Sequence, residues 1–157
     1  MTEIHCTNCR RPYPQEGVPY RCPVCSGLYD MAALPAYDPG QVDASQPGIW
    51  RYRHTFGLAD EAPLVTIGEG NTPLVWREAL GRRMAFKLEF LNPTGSYKDR
   101  GSAVLASFLR GREVEAAVED SSGNAGASFA AYAAAAGIQA RVFVPDSASG
   151  PKRTQIE

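Results

Sequence analysis

The stretch NPTGSYKDRGS, residues 92–102, places one lysine among small and hydroxylated residues. A turn containing proline and glycine precedes Lys98, and apolar residues at helical spacing follow it, so Lys98 is predicted to lie in the first turn of a helix. A lysine nucleophile must be neutral, whereas an ordinary lysine has a pKa of about 10.4. The positive end of a helix and the neighbouring Arg100 both disfavour the ammonium form. Lys98 is therefore the candidate nucleophile of this chain, suited to forming a Schiff base.

The sequence around this stretch predicts strands alternating with helices. The predicted elements are a strand at 84–89, a helix from about 96 to Gly111, a strand at 114–119, a helix from Asn124 to Ala136, a strand at 139–144 and a helix beginning near 149–152. Ser96 and Asp99 have the spacing of a capping box, and Gly137 is the expected stop of the second helix. This order predicts an α/β fold with a parallel sheet and right-handed crossovers.

The chain before residue 61 lacks this alternation. Residues 1–30 are rich in cysteine and proline, with β-like stretches at 18–20 and 27–29, and residues 31–60 are predicted to be an irregular connector. Trp50, Tyr52 and Phe56 of the connector are expected to pack on the domain that follows. We divide the chain into a module at 1–30, a connector at 31–60 and an α/β domain at 61–157.

The last predicted helix has no terminating pattern before Glu157. A parallel sheet that stopped there would keep an unpaired edge and an uncovered face. We therefore expect the chain to be the N-terminal part of a larger protein. The alternative is a natural short product that another chain completes.

Four cysteines form two Cys-x2-Cys pairs, Cys6 with Cys9 and Cys22 with Cys25. Two such hairpins can offer four thiolates to one tetrahedral zinc ion, which predicts a zinc ribbon at residues 1–30. Four protein ligands leave no open position, so the zinc would be structural. The alternative is a ribbon that keeps its fold without metal. His5 is interpreted as a surface residue, since four cysteines already complete the ligand set.

A second small-residue loop, DSSGNAGAS at residues 120–128, follows a predicted strand and opens a helix. The free N–H groups at a helix N-terminus bind anions, and small side chains let the anion approach closely. Asn124 offers both a donor and an acceptor that could orient a ring hydroxyl. The alternative is an ordinary strand-to-helix turn capped by Asn124.

Composition and charge restrict the classes of partner. The net charge is −1 and 44% of the residues are hydrophobic, which predicts a packed core and gives no electrostatic case for nucleic acid or an anionic membrane. No apolar run is long enough to span a bilayer, and residues 1–17 lack the apolar segment of a secretory signal. The expected compartment is the cytoplasm, where reduced thiols favour metal binding over disulfides.

Several of these segments together resemble the fold-type-II family of pyridoxal-phosphate enzymes. NPTGSYKDRG (92–101) resembles the cofactor-lysine motif of threonine synthases, although phenylalanine is more usual at the position of Tyr97. SSGN (121–124) resembles the substrate-carboxylate loop of the family, and GEGNTPL (68–74) matches a third segment. The cysteine-rich start and GIWRY (48–52) are similar to the zinc-ribbon-bearing threonine synthases.

The resemblance implies a three-layer α/β catalytic domain of the tryptophan synthase β type, present here only in its first part. Lys98 would hold pyridoxal 5′-phosphate as a Schiff base, and Asn124 would contact the ring oxygen of the cofactor. The implied ligands of the substrate carboxylate are Ser121, Ser122, Gly123, Asn124 and Ala125. The implied reaction is that of a lyase, which converts O-phospho-L-homoserine and water to L-threonine and phosphate. The implied assembly of the full-length protein is a homodimer.

The sequence also fits two other interpretations of its function. One is a serine/threonine dehydratase or another β-replacing pyridoxal-phosphate enzyme. Another is a non-catalytic truncated paralogue that acts as a zinc-ribbon or assembly module. The glycine-rich loop with which the family grips the cofactor phosphate is not found in this chain, so the chain alone is expected to hold the cofactor poorly and to be inactive.

Overall fold

The computed structural model describes residues 3–33, 35–147 and 150–157. Its strands and α-helices, in chain order, are β1 (Ile4–Cys6), β2 (Tyr29–Met31), β3 (Leu74–Ala79), β4 (Arg82–Lys87), α1 (Lys98–Gly111), β5 (Ala116–Asp120), α2 (Asn124–Ala136), β6 (Gln139–Phe143) and α3 (Gly150–Ile156). Short 3₁₀ helices cover Pro39–Gln41, Gly48–Thr55 and Glu89–Leu91. The fold is mixed α/β, as the sequence predicts.

The sheets within the described ranges are small. β1 pairs with β2 and β3 with β4, both antiparallel, whereas β5 and β6 are parallel. The parallel pair confirms the predicted strand, helix, strand order of residues 114–144, since α2 connects the two strands. Its register runs from Ala116 opposite Gln139 to Asp120 opposite Phe143, so the loop after Asp120 lies at the carboxyl end of the pair.

Helix α2 begins and ends at the predicted residues. Gly137 adopts a left-handed conformation, with φ +71°, and its N–H donates to the carbonyl oxygen of Ala134 at 3.1 Å. The N-terminal cap differs from the prediction, because Asn124 is already helical and Gly123 stands at the cap position. Ser121 takes over part of the capping, since its Oγ accepts the Gly126 N–H at 2.9 Å.

The core lies between α1, α2 and the connector. Its buried members are Ile49, Trp50, Val65, Ala103, Ala106, Leu109, Phe129, Tyr132, Ala133, Ala136 and Ile138. Trp50 and Phe56 pack edge to face with ring centroids 5.9 Å apart, which confirms that these two aromatic residues cover the α/β domain. Tyr52 is 37% exposed and borders an open cleft that residues of the α/β domain also line, so for this residue the expectation stays a prediction.

One hairpin, formed by β3 and β4, is not predicted from the sequence. β4 was predicted two residues later in the chain, and its partner β3 was not predicted at all. Leu80 and Gly81 connect the strands with φ values of +51° and +67°, the two positive values of a tight hairpin turn. Leucine is not a turn-forming residue, so the turn carries no ordinary local pattern.

The strands of the cysteine-rich module also differ from the prediction. No strand forms at residues 18–20, where Pro19 lacks the N–H that a ladder needs. The strands are instead β1, which contains Cys6, and β2, which begins at Tyr29 at the end of the stretch predicted at 27–29. Among the described residues, no helix has both the length and the apolar character needed to cross a bilayer.

Candidate active site and metal centre

Lys98 is the first residue of α1 and is half-buried. Its amine nitrogen lies 5.2 Å from the centre of the Tyr97 ring, and its backbone N–H donates to Ser96 Oγ at 3.2 Å. Ser96 Oγ therefore accepts an N–H at the helix start, although Tyr97 and not the predicted Ser96 stands at the cap position. The second half of the capping box is wrong, because the Asp99 carboxylate accepts the N–H of Thr94 at 2.7 Å.

The Asp99 side chain joins the two helices. It is fully buried, and its Oδ1 accepts a hydrogen bond of 2.6 Å from Ser128 Oγ, in the second turn of α2. The Thr94 hydroxyl also donates to this carboxylate. The bond to Ser128 connects the first turn of α1, which begins at Lys98, to the second turn of α2, the helix that follows the loop at 121–124.

The loop at 121–124 is arranged around its own backbone. Ser121 is half-buried, and its hydroxyl oxygen accepts the N–H groups of Gly123 and Gly126. Ser122 and Asn124 are exposed at the N-terminus of α2. Helical N–H groups at this end, including that of Ala125, are suited to an anionic group. Of the predicted carboxylate ligands, Ser121 thus bonds to the backbone of the loop itself.

Lys98 also acts electrostatically on the strand that precedes this loop. Burial raises the pKa of Glu119, and the positive charge of Lys98 opposes that rise. Glu119 is the second-last residue of β5, just before the loop. The charge of Lys98 therefore acts on the same end of the parallel pair at which the loop begins.

Arg100 does not act as the free cation that the sequence suggested. Its Nε and Nη2 atoms donate to the two oxygens of Glu89 at 2.8 and 2.9 Å, and Nη2 also donates to Thr72 Oγ1 at 3.0 Å. The hydrogen bond from Arg100 lowers the pKa of Glu89 to about 2. The positive charge of Arg100 is thus committed to Glu89, which corrects the expectation that it disfavours an ammonium at Lys98.

The four predicted metal ligands lie together. The Sγ atoms of Cys6, Cys9, Cys22 and Cys25 are all within 4.8 Å of one another, with Cys6 to Cys25 at 3.4 Å and Cys9 to Cys22 at 3.7 Å. Tetrahedral zinc with Zn–S bonds of about 2.3 Å requires sulfur atoms about 3.8 Å apart. The cluster therefore fits a tetrahedral metal ion. A Cβ added at Gly27 would lie 2.8 Å from Cys6 Sγ, so the cluster needs glycine there.

Backbone N–H groups favour the thiolate form at two of these cysteines. The Cys9 N–H, against an opposing effect of burial, lowers the pKa of Cys6, and the Val24 N–H is the main cause that lowers the pKa of Cys22 to about 6. For Cys25 the Gly27 N–H also lowers the pKa, but hydrogen bonds with neighbouring cysteines outweigh it and raise the value to about 12. A divalent cation among the sulfur atoms would remove this opposition between thiolates.

A buried acid that the sequence analysis left unassigned lies in the GEGNTPL segment. Glu69 is 1% exposed, and its Oε2 accepts hydrogen bonds from Tyr132 Oη at 2.7 Å and from Thr66 Oγ1 at 3.1 Å. Burial, with the Glu69 carboxylate, raises the pKa of Tyr132. Glu69 thereby joins this segment to α2. The segment itself was noted, but nothing in it indicates a partner 63 residues away.

This fold and site define the class of protein. Residues 65–157 match the family described as pyridoxal-phosphate dependent enzyme, and the chain belongs to that family. The candidate cofactor lysine and the loop at 121–124 both fall inside the matched range. The residues present fit the cofactor: a half-buried amine opens one helix, the next helix presents its N-terminus, and a Cβ built at Gly95 or Gly123 would meet no atom within 4 Å.

Several relatives of this chain are named threonine synthase. The protein from Synechocystis sp. is 41% identical over 101 residues, covering 60% of this chain and 26% of that protein. Those from Methanosarcina acetivorans and Methanocaldococcus jannaschii are each 32% identical, over 154 and 151 residues, covering 92% and 90% of this chain. The chain spans 26% to 37% of the length of these relatives.

Proposed function

We propose that the protein to which this chain belongs is a threonine synthase, which converts O-phospho-L-homoserine and water to L-threonine and phosphate. One observation supports the proposal most strongly. A lysine opens α1, a small-residue loop precedes α2, and a buried hydrogen bond joins the first turn of α1 to the second turn of α2, in a chain with relatives that carry this name.

Lys98 is proposed to hold the cofactor and to move protons. When bound, pyridoxal phosphate supplies an electron sink for negative charge that develops on the substrate carbons. Lys98 would hold the cofactor through its amine, and the same amine would accept and return protons at the substrate carbons. Its half-buried position limits the water around it.

The loop at 121–124 is proposed to hold the substrate carboxylate. Ser122 is exposed at the helix N-terminus, and the backbone N–H of Ala125 nearby suits an anionic oxygen, as would that of Gly123 if the anion replaced its long bond of 3.4 Å to Ser121 Oγ. Asn124 is proposed to orient the ring oxygen of the cofactor. Ser121 contributes indirectly, because its hydroxyl shapes the loop by accepting the Gly126 N–H.

The four cysteines are proposed to hold one structural zinc ion. A module of this size buries little apolar surface, and a bound metal would stabilise it. Free thiols in this number suit the reducing cytoplasm, which is the proposed compartment. A homodimer remains the proposed assembly of the complete protein.

Product analysis of the complete protein tests the reaction. With O-phospho-L-homoserine, we expect inorganic phosphate and threonine to form in equal amounts. The same preparation is assayed with L-serine and with L-threonine for 2-oxo acid and ammonia. Formation of 2-oxo acid without phosphate release would replace the synthase by the dehydratase alternative.

A further inference from the structure

Two buried polar side chains connect the beginnings of α1 and α2. Asp99 follows Lys98 directly, and Ser128 lies one helical turn after Asn124, so that Asn124 and Ser128 share one face of α2. The hydroxyl of Ser128 donates to Asp99 Oδ1 at 2.6 Å. We propose that Asp99 and Ser128 are a positioning pair that fixes Lys98 relative to Asn124, an inference that rests on the function proposed above.

Asp99 and Ser128 lie in the interior of the protein and not at its surface. Both side chains are 0% exposed, and a buried carboxylate is tolerated only when hydrogen bonds replace its water. Thr94 supplies two of these bonds, from its N–H and its hydroxyl, and Ser128 supplies the third. Ser102 Oγ lies 2.8 Å from Ser128 Oγ, so the hydroxyl is held from α1 as well.

The start of α1 is ordered without the hydrogen bond between Ser128 and Asp99. Thr94 and Ser96 already order the turn before α1, since Ser96 Oγ accepts the Lys98 N–H. Ser128 is 29 residues from Asp99 and belongs to the helix that begins at Asn124. Its bond therefore fixes the separation between the two helix starts rather than the geometry of either one.

Proton transfer and Schiff-base formation are sensitive to that separation. A displacement of about 1 Å in a reacting group can cost on the order of 100-fold in rate, even when the changed residue is remote from the reacting atoms. Lys98 and Asn124 are proposed to contact the same cofactor from two helices. If the connection between these helices were loose, Lys98 and Asn124 would both be present, but their distance and relative orientation would be poorly defined.

The chain offers a matched control in Ser107. It is also a 0% exposed serine on a helix, and its hydroxyl donates to the Ala103 carbonyl at 2.7 Å and accepts the Val65 N–H at 2.9 Å. Ser107→Ala removes a buried hydroxyl of the same kind without touching Asp99. A purely structural role for Ser128 would make Ser128→Ala and Ser107→Ala equivalent.

The experiment compares both variants with the unaltered sequence in the complete protein. Apoprotein is mixed with pyridoxal phosphate, the visible absorbance of the Schiff base is followed in time, and the adduct is trapped with borohydride and located by mass spectrometry. Thermal midpoints are measured in parallel. We expect Ser128→Ala to form the Lys98 adduct roughly tenfold more slowly, and Ser107→Ala at close to the unaltered rate despite a comparable loss of midpoint.

Two outcomes overturn the proposal in different ways. Equal rates of adduct formation for Ser128→Ala and Ser107→Ala, at equal loss of thermal midpoint, would show that the pair is structural only. Failure of the unaltered protein to form any adduct at Lys98 would remove the proposed function and this inference with it. A double-mutant cycle with Asp99→Asn adds a check, because a true pair gives rate effects that do not add.

Discussion

Arg112 Nη1 donates to the carbonyl oxygen of Pro14 at 2.7 Å, although 98 residues separate them in the chain. The same nitrogen lies 2.7 Å from the Gln15 oxygen, and the guanidinium stacks on Tyr13 at 5.3 Å and on Phe108 at 5.1 Å. The cysteine-rich module is thus attached to the residue that ends α1. Stability of the module is therefore expected to depend on this attachment.

Arg112→Ala should loosen the module from the α/β domain. The variant loses hydrogen bonds to backbone oxygens and two cation–π contacts, which together cost about 1–3 kcal/mol. Hydrogen exchange should then report faster exchange at the amides of Cys6 and Tyr13, both of which are bonded in the module. Arg110→Ala is the matched control, since Arg110 donates to a single carbonyl, that of Ala136, on the other side of α1. Equal protection of the module in both variants would contradict the attachment.

The cysteine cluster should bind one zinc ion per chain. All four cysteines of the sequence belong to the cluster, so the metal content measured by mass spectrometry under reducing conditions reports on this site. Cys22→Ser should abolish stoichiometric zinc, and chelation should raise amide exchange in residues 3–31 more than in α1 and α2. His5→Ala should keep its zinc, because His5 faces Glu3 at 3.9 Å rather than completing the ligand set. A metal-free protein from zinc-supplemented cells would refute the site.

Stability should fall in acid through Glu89. Arg100 holds the pKa of Glu89 at about 2, below the ordinary value of 4.5, so the ion pair stabilises the fold fully above pH 4.5. That contribution is lost as the pH falls from about 4.5 towards 2, and we expect it to be on the order of 1–3 kcal/mol. Urea unfolding at pH 7, 4.5 and 3 measures it. Glu89→Gln should flatten this pH dependence, and Glu61→Gln, which changes an exposed carboxylate, should leave it intact.

Two glycines with positive φ should respond very differently to alanine. A Cβ at Gly48, where φ is +56°, would lie 1.9 Å from the Glu69 carbonyl oxygen, whereas a Cβ at Gly81, with φ +67°, would meet nothing within 4 Å. Gly81→Ala should therefore cost only the left-handed strain, about 1–2 kcal/mol. Gly48→Ala should cost more than about 3 kcal/mol, because backbone must separate from backbone. Similar urea midpoints for both variants would contradict the close crossing at Gly48.

The sequence predicted the elements whose ends carry local patterns. Helix α2 has a glycine stop at Gly137 and small residues at its start, and both of its bounds were predicted correctly. The β3–β4 hairpin was missed because Leu80 occupies a turn position that asparagine or glycine usually fills. Local patterns can specify an element but not its partner.

In the candidate site, too, local patterns predict individual residues but not the contacts between distant segments. Lys98 and the loop at 121–124 stand out by composition, as do the paired cysteines. The long-range contacts that connect the elements carrying these residues, Asp99 with Ser128 at one end of α1 and Arg112 with Pro14 at the other, span 29 and 98 residues and depend on packing. Arg100 illustrates the opposite error. Because Arg100 is close to Lys98 in sequence, its charge is expected to disfavour the ammonium form of Lys98, but in the fold that charge is paired with Glu89.

The most direct test of the central claim is the position at which the cofactor attaches. The complete protein is incubated with pyridoxal phosphate, reduced with borohydride, digested and analysed by mass spectrometry. We predict a single phosphopyridoxyl adduct on Lys98, together with a visible absorbance before reduction that Lys98→Ala abolishes. Labelling of another lysine, or an unchanged spectrum in the Lys98→Ala variant, would contradict the account.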